Sequence, residues 1–130
     1  MRYALLIYTA EPTADVPDDV MATEFAEYAA FSAHVRERGA FLAGDALQRT
    51  DSATTVRDRD GQTIATDGPF SETKEALGGF YLVEAADLDE AIDYASRIPG
   101  AKHGSIEIRP IFELPAEVLE GQPAEPAAAN

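Results

Sequence analysis

A short segment around residue 70 concentrates the polar side chains that could do chemistry. Its members are Asp67, Ser71, Glu72, Lys74 and Glu75. A carboxylate that is partly buried beside a lysine can have its proton affinity tuned for acid–base work. The pair Gly78-Gly79 follows, and glycines let a ligand or another backbone approach closely. In this functional interpretation Asp67, Glu72 and Lys74 line the mouth of a pocket, with Asp67 or Glu72 as the acid or base and Lys74 as its charge partner.

The same segment also has a structural interpretation. Asp67-Gly68-Pro69 is typical of a tight turn in which the aspartate side chain accepts backbone hydrogen bonds. Glu72, Lys74 and Glu75 would then be solvated surface charges. Chemistry alone favours this structural interpretation, because turn residues often serve only the turn.

The last predicted strand carries a second candidate site, since Glu107 and Arg109 share one of its faces. They could bind a polar substrate on the sheet, with Arg109 anchoring an anionic group. They could equally form a cross-strand ion pair or an ion pair across a dimer interface. Tyr8 and Tyr81 are expected to add hydroxyls to the same face. A tyrosine in a strand is, however, more often a core residue whose hydroxyl reaches solvent.

Other catalytic chemistries find little support in the sequence. The chain has no cysteine, which excludes disulfides and thiolate chemistry, and its two histidines, His34 and His103, stand alone. We therefore expect no metal site. Gly-x-Ser-x-Gly, Walker and dinucleotide-binding patterns are absent, so no cofactor is expected either.

The excess of acidic residues limits the classes of partner that the chain is expected to bind. The 130 residues include 24 acidic and 10 basic side chains, for a net charge of -14, which repels phosphate backbones. Direct nucleic-acid binding is therefore not expected. The chain has no apolar run of about 20 residues and no signal-peptide pattern, so we expect a cytoplasmic protein with no membrane association.

Hydrophobic periodicity predicts an α+β domain. The predicted strands cover residues 2–9, 40–47, 78–84 and 105–112, and a hairpin over 54–66 turns at Asp60-Gly61. One predicted helix runs from Val20 to Arg38, with an apolar stripe of Phe25, Tyr28, Phe31 and Val35. A second begins after Asp87, capped with the help of Glu90, and carries a stripe of Leu88, Ala91, Ile92, Ala95 and Ile98.

Without the hairpin the order is βαββαβ, which is the ferredoxin-like arrangement. Two helices cover one face of a four-stranded sheet, and the other face is still apolar, so we expect it to pack on a second copy. Residues 1–114 form the predicted domain. Residues 115–130, rich in Pro, Ala and Glu, are expected to be a short turn and a mobile tail.

The longest motif of the chain resembles a family signature. It runs from Asp67 to Glu75 as Asp-Gly-Pro-Phe-Ser-Glu-Thr-Lys-Glu, followed by Leu-Gly-Gly-Phe-Tyr-Leu from Leu77 to Leu82. This run is similar to the signature of the YCII-related family, in its DGPF branch. Supporting pieces are Leu88-Asp89-Glu90-Ala91, Arg97-Ile98-Pro99 and Ile106-Glu107-Ile108-Arg109-Pro110.

The resemblance implies a dimeric α/β barrel built from two ferredoxin-like domains, but no settled function. Some relatives are thought to use a His–Asp pair, with the histidine near the start of the first helix. In this chain His34 lies at the other end of that helix and Tyr28 is nearer the expected position, so the pair is not carried over.

Genes of the DGPF branch often neighbour those of extracytoplasmic-function sigma factors, which implies a regulatory partnership. Three hypotheses therefore stand. The chain binds or converts a small molecule, it is a non-catalytic module that works with a sigma factor, or its motif chiefly builds the dimer.

Overall fold

The computed structural model describes residues 1–121, which form an α+β structure with antiparallel sheets. The strands are β1 (Arg2–Thr9), β2 (Phe41–Ala46), β3 (Thr54–Arg59), β4 (Gln62–Asp67), β5 (Ala76–Glu84) and β6 (Ser105–Pro110). The α-helices are α1 (Asp18–Glu37), α2 (Leu88–Ser96) and α3 (Ala116–Leu119), with short 3-10 helices at Thr50–Ser52 and Pro99–Lys102.

The main sheet has four strands in the order β2-β5-β1-β6, and all three neighbouring pairs are antiparallel. β3 and β4 form a separate two-stranded sheet, inserted between β2 and β5. The topology is compatible with the ferredoxin-like arrangement that the sequence predicts.

The core lies between this sheet and the helices α1 and α2. In β1 the side chains of Tyr3, Leu5 and Ile7 are buried, whereas Leu6 and Tyr8 are only half-buried. This alternation confirms the two faces predicted for the strand. No element in residues 1–121 covers the face that carries Leu6, which we call the open face.

The N-terminus of α2 confirms the predicted cap. The side chain of Asp87 accepts a hydrogen bond of 2.9 Å from the backbone N–H of Glu90, and the Glu90 carboxylate accepts one of 3.2 Å from the N–H of Ala86. These bonds satisfy N–H groups that the first turn of a helix leaves without a partner.

The buried stripe of α2 differs from the prediction. The core includes Ala91, Tyr94 and Ala95 of α2, together with Ile98 just after the helix. Leu88 and Ile92 were predicted to belong to the stripe, but both are exposed, Ile92 by 48%. Helical spacing fits two different sets of positions in α2, one that includes Leu88 and Ile92 and one that includes Tyr94. Tyr94 is part of the core, and its hydroxyl accepts a 2.9 Å hydrogen bond from Nε of Arg38, so the polar end of the buried ring has a partner.

The stripe of α1 is confirmed for its C-terminal half. Phe31 and Val35 are buried, Tyr28 is half-buried and Phe25 is 65% exposed. The helix ends as predicted before Gly39, which adopts a φ of 69°.

The hairpin of β3 and β4 turns where the sequence predicts. Asp60 and Gly61 have φ angles of 54° and 76°, the positive values that a two-residue hairpin turn requires. At its base, the backbone N–H of Gly68 donates a 2.7 Å hydrogen bond to the carbonyl of Ala53.

The expected C-terminal segment, 115–130, is described only as far as residue 121, where it contains the short helix α3. Residues 122–130 lie outside the described residues. In the described part of the chain, no helix combines the length and apolar character needed to cross a membrane. The cytoplasmic location stays a prediction.

Candidate functional site

A cavity of about 570 Å³ lies between α1 and the helix-facing side of β2 and β5. One of its walls is a single stripe of α1. The residues of this stripe recur at every fourth position, as Glu24, Tyr28, Ser32 and Arg36. Residues four apart lie above one another on a helix, so the four side chains form one row along the cavity. This polar row is the feature that distinguishes the cavity from the neighbouring apolar core.

Glycines form part of the opposite wall. A Cβ atom at Gly44 would lie 2.7 Å from Cδ1 of Tyr81, and one at Gly79 would lie 2.9 Å from the carbonyl oxygen of Asp45. Real Cβ atoms do not approach that closely, so both positions need glycine. Gly78 differs, since its nearest neighbour would be Oγ1 of Thr9 at 3.9 Å. At Gly79 the group that comes close is the backbone of β2, one of the two possibilities predicted for Gly78-Gly79, whereas no group comes close at Gly78.

Tyr81 stands on the sheet side of the cavity. Its ring packs edge-on against Phe31 at 4.8 Å and against Phe41 at 6.3 Å between ring centroids, which fixes its orientation. Its hydroxyl lies 3.4 Å from the hydroxyl of Ser32. The two hydroxyls place a donor and an acceptor together beside the aromatic rings of Phe31 and Phe41.

Tyr28 occupies the second position of the α1 row. Burial raises the pKa of its phenol above the ordinary 10.0, the charge of Glu24 adds to this rise, and the backbone N–H of Gly100 opposes it. The phenol therefore remains protonated at neutral pH. In that form it can donate a hydrogen bond to a ligand.

Arg36 closes the row at the C-terminal end of α1. Its guanidinium carbon lies 3.9 Å from the centre of the Phe41 ring, a cation–π contact that holds the side chain in place. None of the ion pairs within residues 1–121 includes Arg36. Glu24 begins the row at the other end, about 18 Å away at 1.5 Å per residue.

The Asp67–Glu75 segment lies outside the walls of this cavity. The side chains of Asp67, Glu72 and Lys74 are exposed. The side-chain hydrogen bonds that hold this segment are donated by Thr73 within it and by Thr55 and Ser105 outside it. Thr55 donates a 2.8 Å hydrogen bond to the carbonyl of Gly68, Thr73 one of 2.5 Å to the carbonyl of Glu75, and Ser105 one of 3.0 Å to the Glu75 carboxylate. The catalytic roles of Asp67, Glu72 and Lys74 stay predictions.

Glu107 and Arg109 lie on the open face and form an ion pair of 2.9 Å. Both side chains are well exposed, so the pair contributes little to stability. Tyr8 shares this face, because its Cα is paired with Ser105. Tyr81 does not, since it is paired with Leu5 on the helix side.

The expectation that Tyr8 and Tyr81 share a face is therefore wrong. Which residues of two strands point the same way depends on their register, and register cannot be read from either strand alone. The ligand-binding roles of Tyr8, Tyr81, Glu107 and Arg109 stay predictions. Only Tyr81 among them lines the cavity.

Ser32 and Arg36 were not predicted as site residues from the sequence, and Tyr28 was predicted as part of the apolar stripe of α1. A signal for them was present, because polar residues recur at every fourth position from Glu24 to Arg36, beside the apolar pair Phe31 and Val35. Over residues 1–121, no group of three or more histidine or carboxylate side chains is arranged to hold a metal ion.

Comparison with known proteins gives two findings. Residues 1–115 match the family model described as the YCII-related domain. The chain is also 51% identical over 67 residues to "Uncharacterized protein R00369" of Rhizobium meliloti (strain 1021). That alignment covers 50% of this chain and 54% of the relative, so the chain spans about half the length of the curated relative it matches.

Proposed function

This chain belongs to the YCII-related domain family, and we propose that it binds a small organic molecule in the cavity between α1 and the sheet. The observation that supports this function best is the polar row of α1 facing a wall of glycines. The DGPF branch of the family remains part of the proposal and rests on the motif from Asp67 to Glu75 alone.

The dimensions and walls of the cavity suit a ligand. Its volume of about 570 Å³ falls within the range of about 300–1,000 Å³ that small-molecule sites occupy. Apolar side chains such as Ile7, Met21 and Phe41 supply most of the surface, and a few hydroxyls supply polar contacts. Such a combination binds an apolar body and orients it by one or two hydrogen bonds.

The binding proposal is tested by filling the cavity. Ala46 lines it, and its pairing with Gly79 directs its side chain to the helix-facing side. Ala46→Phe should therefore occupy the space of a ligand. We expect ligand-observed NMR with a library of small aromatic and aliphatic fragments to detect binders of the parent protein that Ala46→Phe no longer binds.

The matched control is Ala33→Phe, the same change at an exposed position of α1 outside the cavity walls. It should retain the binders. Fragments that bind Ala46→Phe as well as the parent, or a library without any binder, would contradict the proposed function.

We propose in addition that Asp67, Glu72 and Lys74 serve a site rather than the scaffold, with acid–base catalysis as their predicted role. Their exposed side chains support this, since exposed residues seldom stabilise a fold. Urea denaturation of Asp67→Asn, Glu72→Gln and Lys74→Ala should shift the free energy of unfolding by no more than about 0.5 kcal/mol each.

Thr55→Val provides the comparison for that experiment. It removes the partly buried hydrogen bond to Gly68 at the same turn and should cost about 1 kcal/mol. A clear loss of stability in all three charged variants would make the segment structural.

A homodimer belongs to the same proposal. The open face carries Ala4, Leu6, Phe80 and Leu82, which no described element covers. A second copy packed face to face would bury these side chains and give the dimeric α/β barrel that the family resemblance implies.

The alternative function is a non-catalytic module that works with an extracytoplasmic-function sigma factor. One observation favours it: Phe70, in the middle of the motif, is 80% exposed, and large exposed apolar side chains often mark a protein contact. Under this alternative a tagged chain should co-purify with the sigma factor, and Phe70→Ser should abolish the association. No co-purification, or association that survives Phe70→Ser, would argue against it.

A further inference from the structure

We propose that the ligand of the α1 cavity is a small organic carboxylate with an aromatic or other apolar body, bound at its charged end by Arg36. This inference rests on the proposed function and adds the chemical class of the molecule. It depends on the position of one cation, on the charges around it and on the groups within one helical turn.

Arg36 is a cation held in place without a carboxylate partner in the part of the chain that the structure describes. Four other arginines form ion pairs, namely Arg2 with Glu113, Arg38 with Glu90, Arg97 with Asp93 and Arg109 with Glu107. Arg49, Arg57 and Arg59 also lack an ion pair in the described part of the chain, but Arg36 is the arginine that lines this cavity. Its stacking on Phe41 leaves the edge of the guanidinium free to donate two parallel hydrogen bonds to a carboxylate.

The carboxylates that also contribute to the cavity lie away from Arg36. Glu24 stands at the opposite end of the row, about 18 Å along the helix. Asp45 is paired with Phe80, which is paired with Leu6, and this register directs the Asp45 side chain to the open face. Of the charged side chains that line the cavity, Arg36 is therefore the one at this end, and its positive charge would attract an anion.

The neighbouring groups complete a carboxylate site. Ser32 lies one turn before Arg36 in the same row, about 6 Å along the helix axis, so we expect its hydroxyl to contact the second oxygen of a carboxylate bound to Arg36. Beyond it, Tyr81 and Phe41 present aromatic surface to the body of the ligand. Tyr28, about 12 Å from Arg36 along the helix, can donate a hydrogen bond to a polar group at the far end of the ligand.

Isothermal titration calorimetry with 2-naphthoate and its neutral isostere 2-naphthamide tests the inference. We expect the parent protein to bind naphthoate more tightly than naphthamide. Arg36→Gln should weaken naphthoate binding by about 10- to 100-fold, the loss expected for charge-assisted hydrogen bonds, and leave naphthamide unchanged. Arg36→Lys, which keeps the charge but loses the planar fork, should give an intermediate affinity.

Arg38→Gln is the matched control. It removes the same charge two residues along the chain, where Arg38 contacts Tyr94 and Glu90 outside this cavity. Its naphthoate affinity should stay within about twofold of the parent, because only the general attraction of a positive charge is lost.

The outcomes separate the two proposals. If naphthoate and naphthamide bind the parent equally, if Arg36→Gln weakens neither, or if naphthoate does not bind at millimolar concentration, the carboxylate inference is wrong. Fragments lost in Ala46→Phe would still support the cavity as a binding site. If naphthoate binds Ala46→Phe as tightly as the parent, it binds elsewhere, and the carboxylate inference fails together with the assignment of the cavity.

Discussion

At the scale of single residues, the cavity depends on positions that lack a side chain. Gly44 faces Tyr81, and the ring of Tyr81 already occupies the space in which a Cβ atom at Gly44 would lie. Tyr81 in turn is packed against Phe31 and Phe41. A methyl group at Gly44 therefore cannot be accommodated without moving part of the core.

We expect Gly44→Ala to lower the free energy of unfolding by about 1–3 kcal/mol, the cost of inserting a group into a well-packed site. The displaced Tyr81 ring should also change its near-ultraviolet circular dichroism. Gly78→Ala is the control, because a Cβ atom there would meet Oγ1 of Thr9 only at 3.9 Å, an ordinary contact. Equal effects of the two substitutions in urea denaturation would show that close packing at Gly44 does not determine the outcome.

At the scale of elements, the sequence predicts what depends on local pattern. The strands, both main helices, the Asp60-Gly61 turn and the Asp87 cap are confirmed, because periodicity, turn chemistry and capping act within a few residues. The buried stripe of α2 is not determined in this way. Ile92 and Tyr94 both fit helical spacing, and the hydrogen bond from Arg38 to Tyr94 is a tertiary contact.

The candidate site is harder to predict than the elements for the same reason. Tyr28, Ser32 and Arg36 become a wall only when α1 packs over Gly44 and Gly79, which belong to two different strands. No property of those strands taken singly indicates this approach.

The loop after β1 is tied to the 3-10 helix that follows β2. The backbone N–H of Thr50 donates a 2.9 Å hydrogen bond to the carboxylate of Glu11, and the Thr50 hydroxyl donates to the other carboxylate oxygen. These bonds, the hydroxyl bond foremost, hold the pKa of Glu11 below its ordinary value of 4.5. Since the folded state binds the proton less readily than the unfolded state, the link stabilises the fold above pH 4.5.

That contribution should disappear as the pH falls through the lowered pKa of Glu11. We expect the parent protein to be more stable than Glu11→Gln at pH 7, and the difference between them to shrink as the pH falls below 4.5. Urea denaturation of both proteins at several pH values measures this difference, and other carboxylates cancel in the comparison. A difference that is constant with pH would contradict the role of the Glu11 charge.

At the scale of the whole molecule, the sheet has one face covered by α1 and α2 and one face that no described element covers. Leu82 lies near the middle of the open face, paired with Ala4 on one side and Ala43 on the other. The ion pair of Glu107 and Arg109 lies on the outer strand of the same face. An apolar centre beside a charged outer strand is the pattern expected where a second copy packs.

Leu82→Lys tests this assembly, because a lysine at that position would bury a charge among alanines with no carboxylate opposite it. We expect sedimentation velocity to show two chains per particle for the parent protein and one for Leu82→Lys, with unchanged far-ultraviolet circular dichroism. Ile92→Lys makes the same change at an exposed residue of α2, on the other side of the molecule, and should remain dimeric. A monomeric parent, or a dimer that survives Leu82→Lys, would mean that the open face is not a dimer interface. The proposed dimeric α/β barrel would then be wrong.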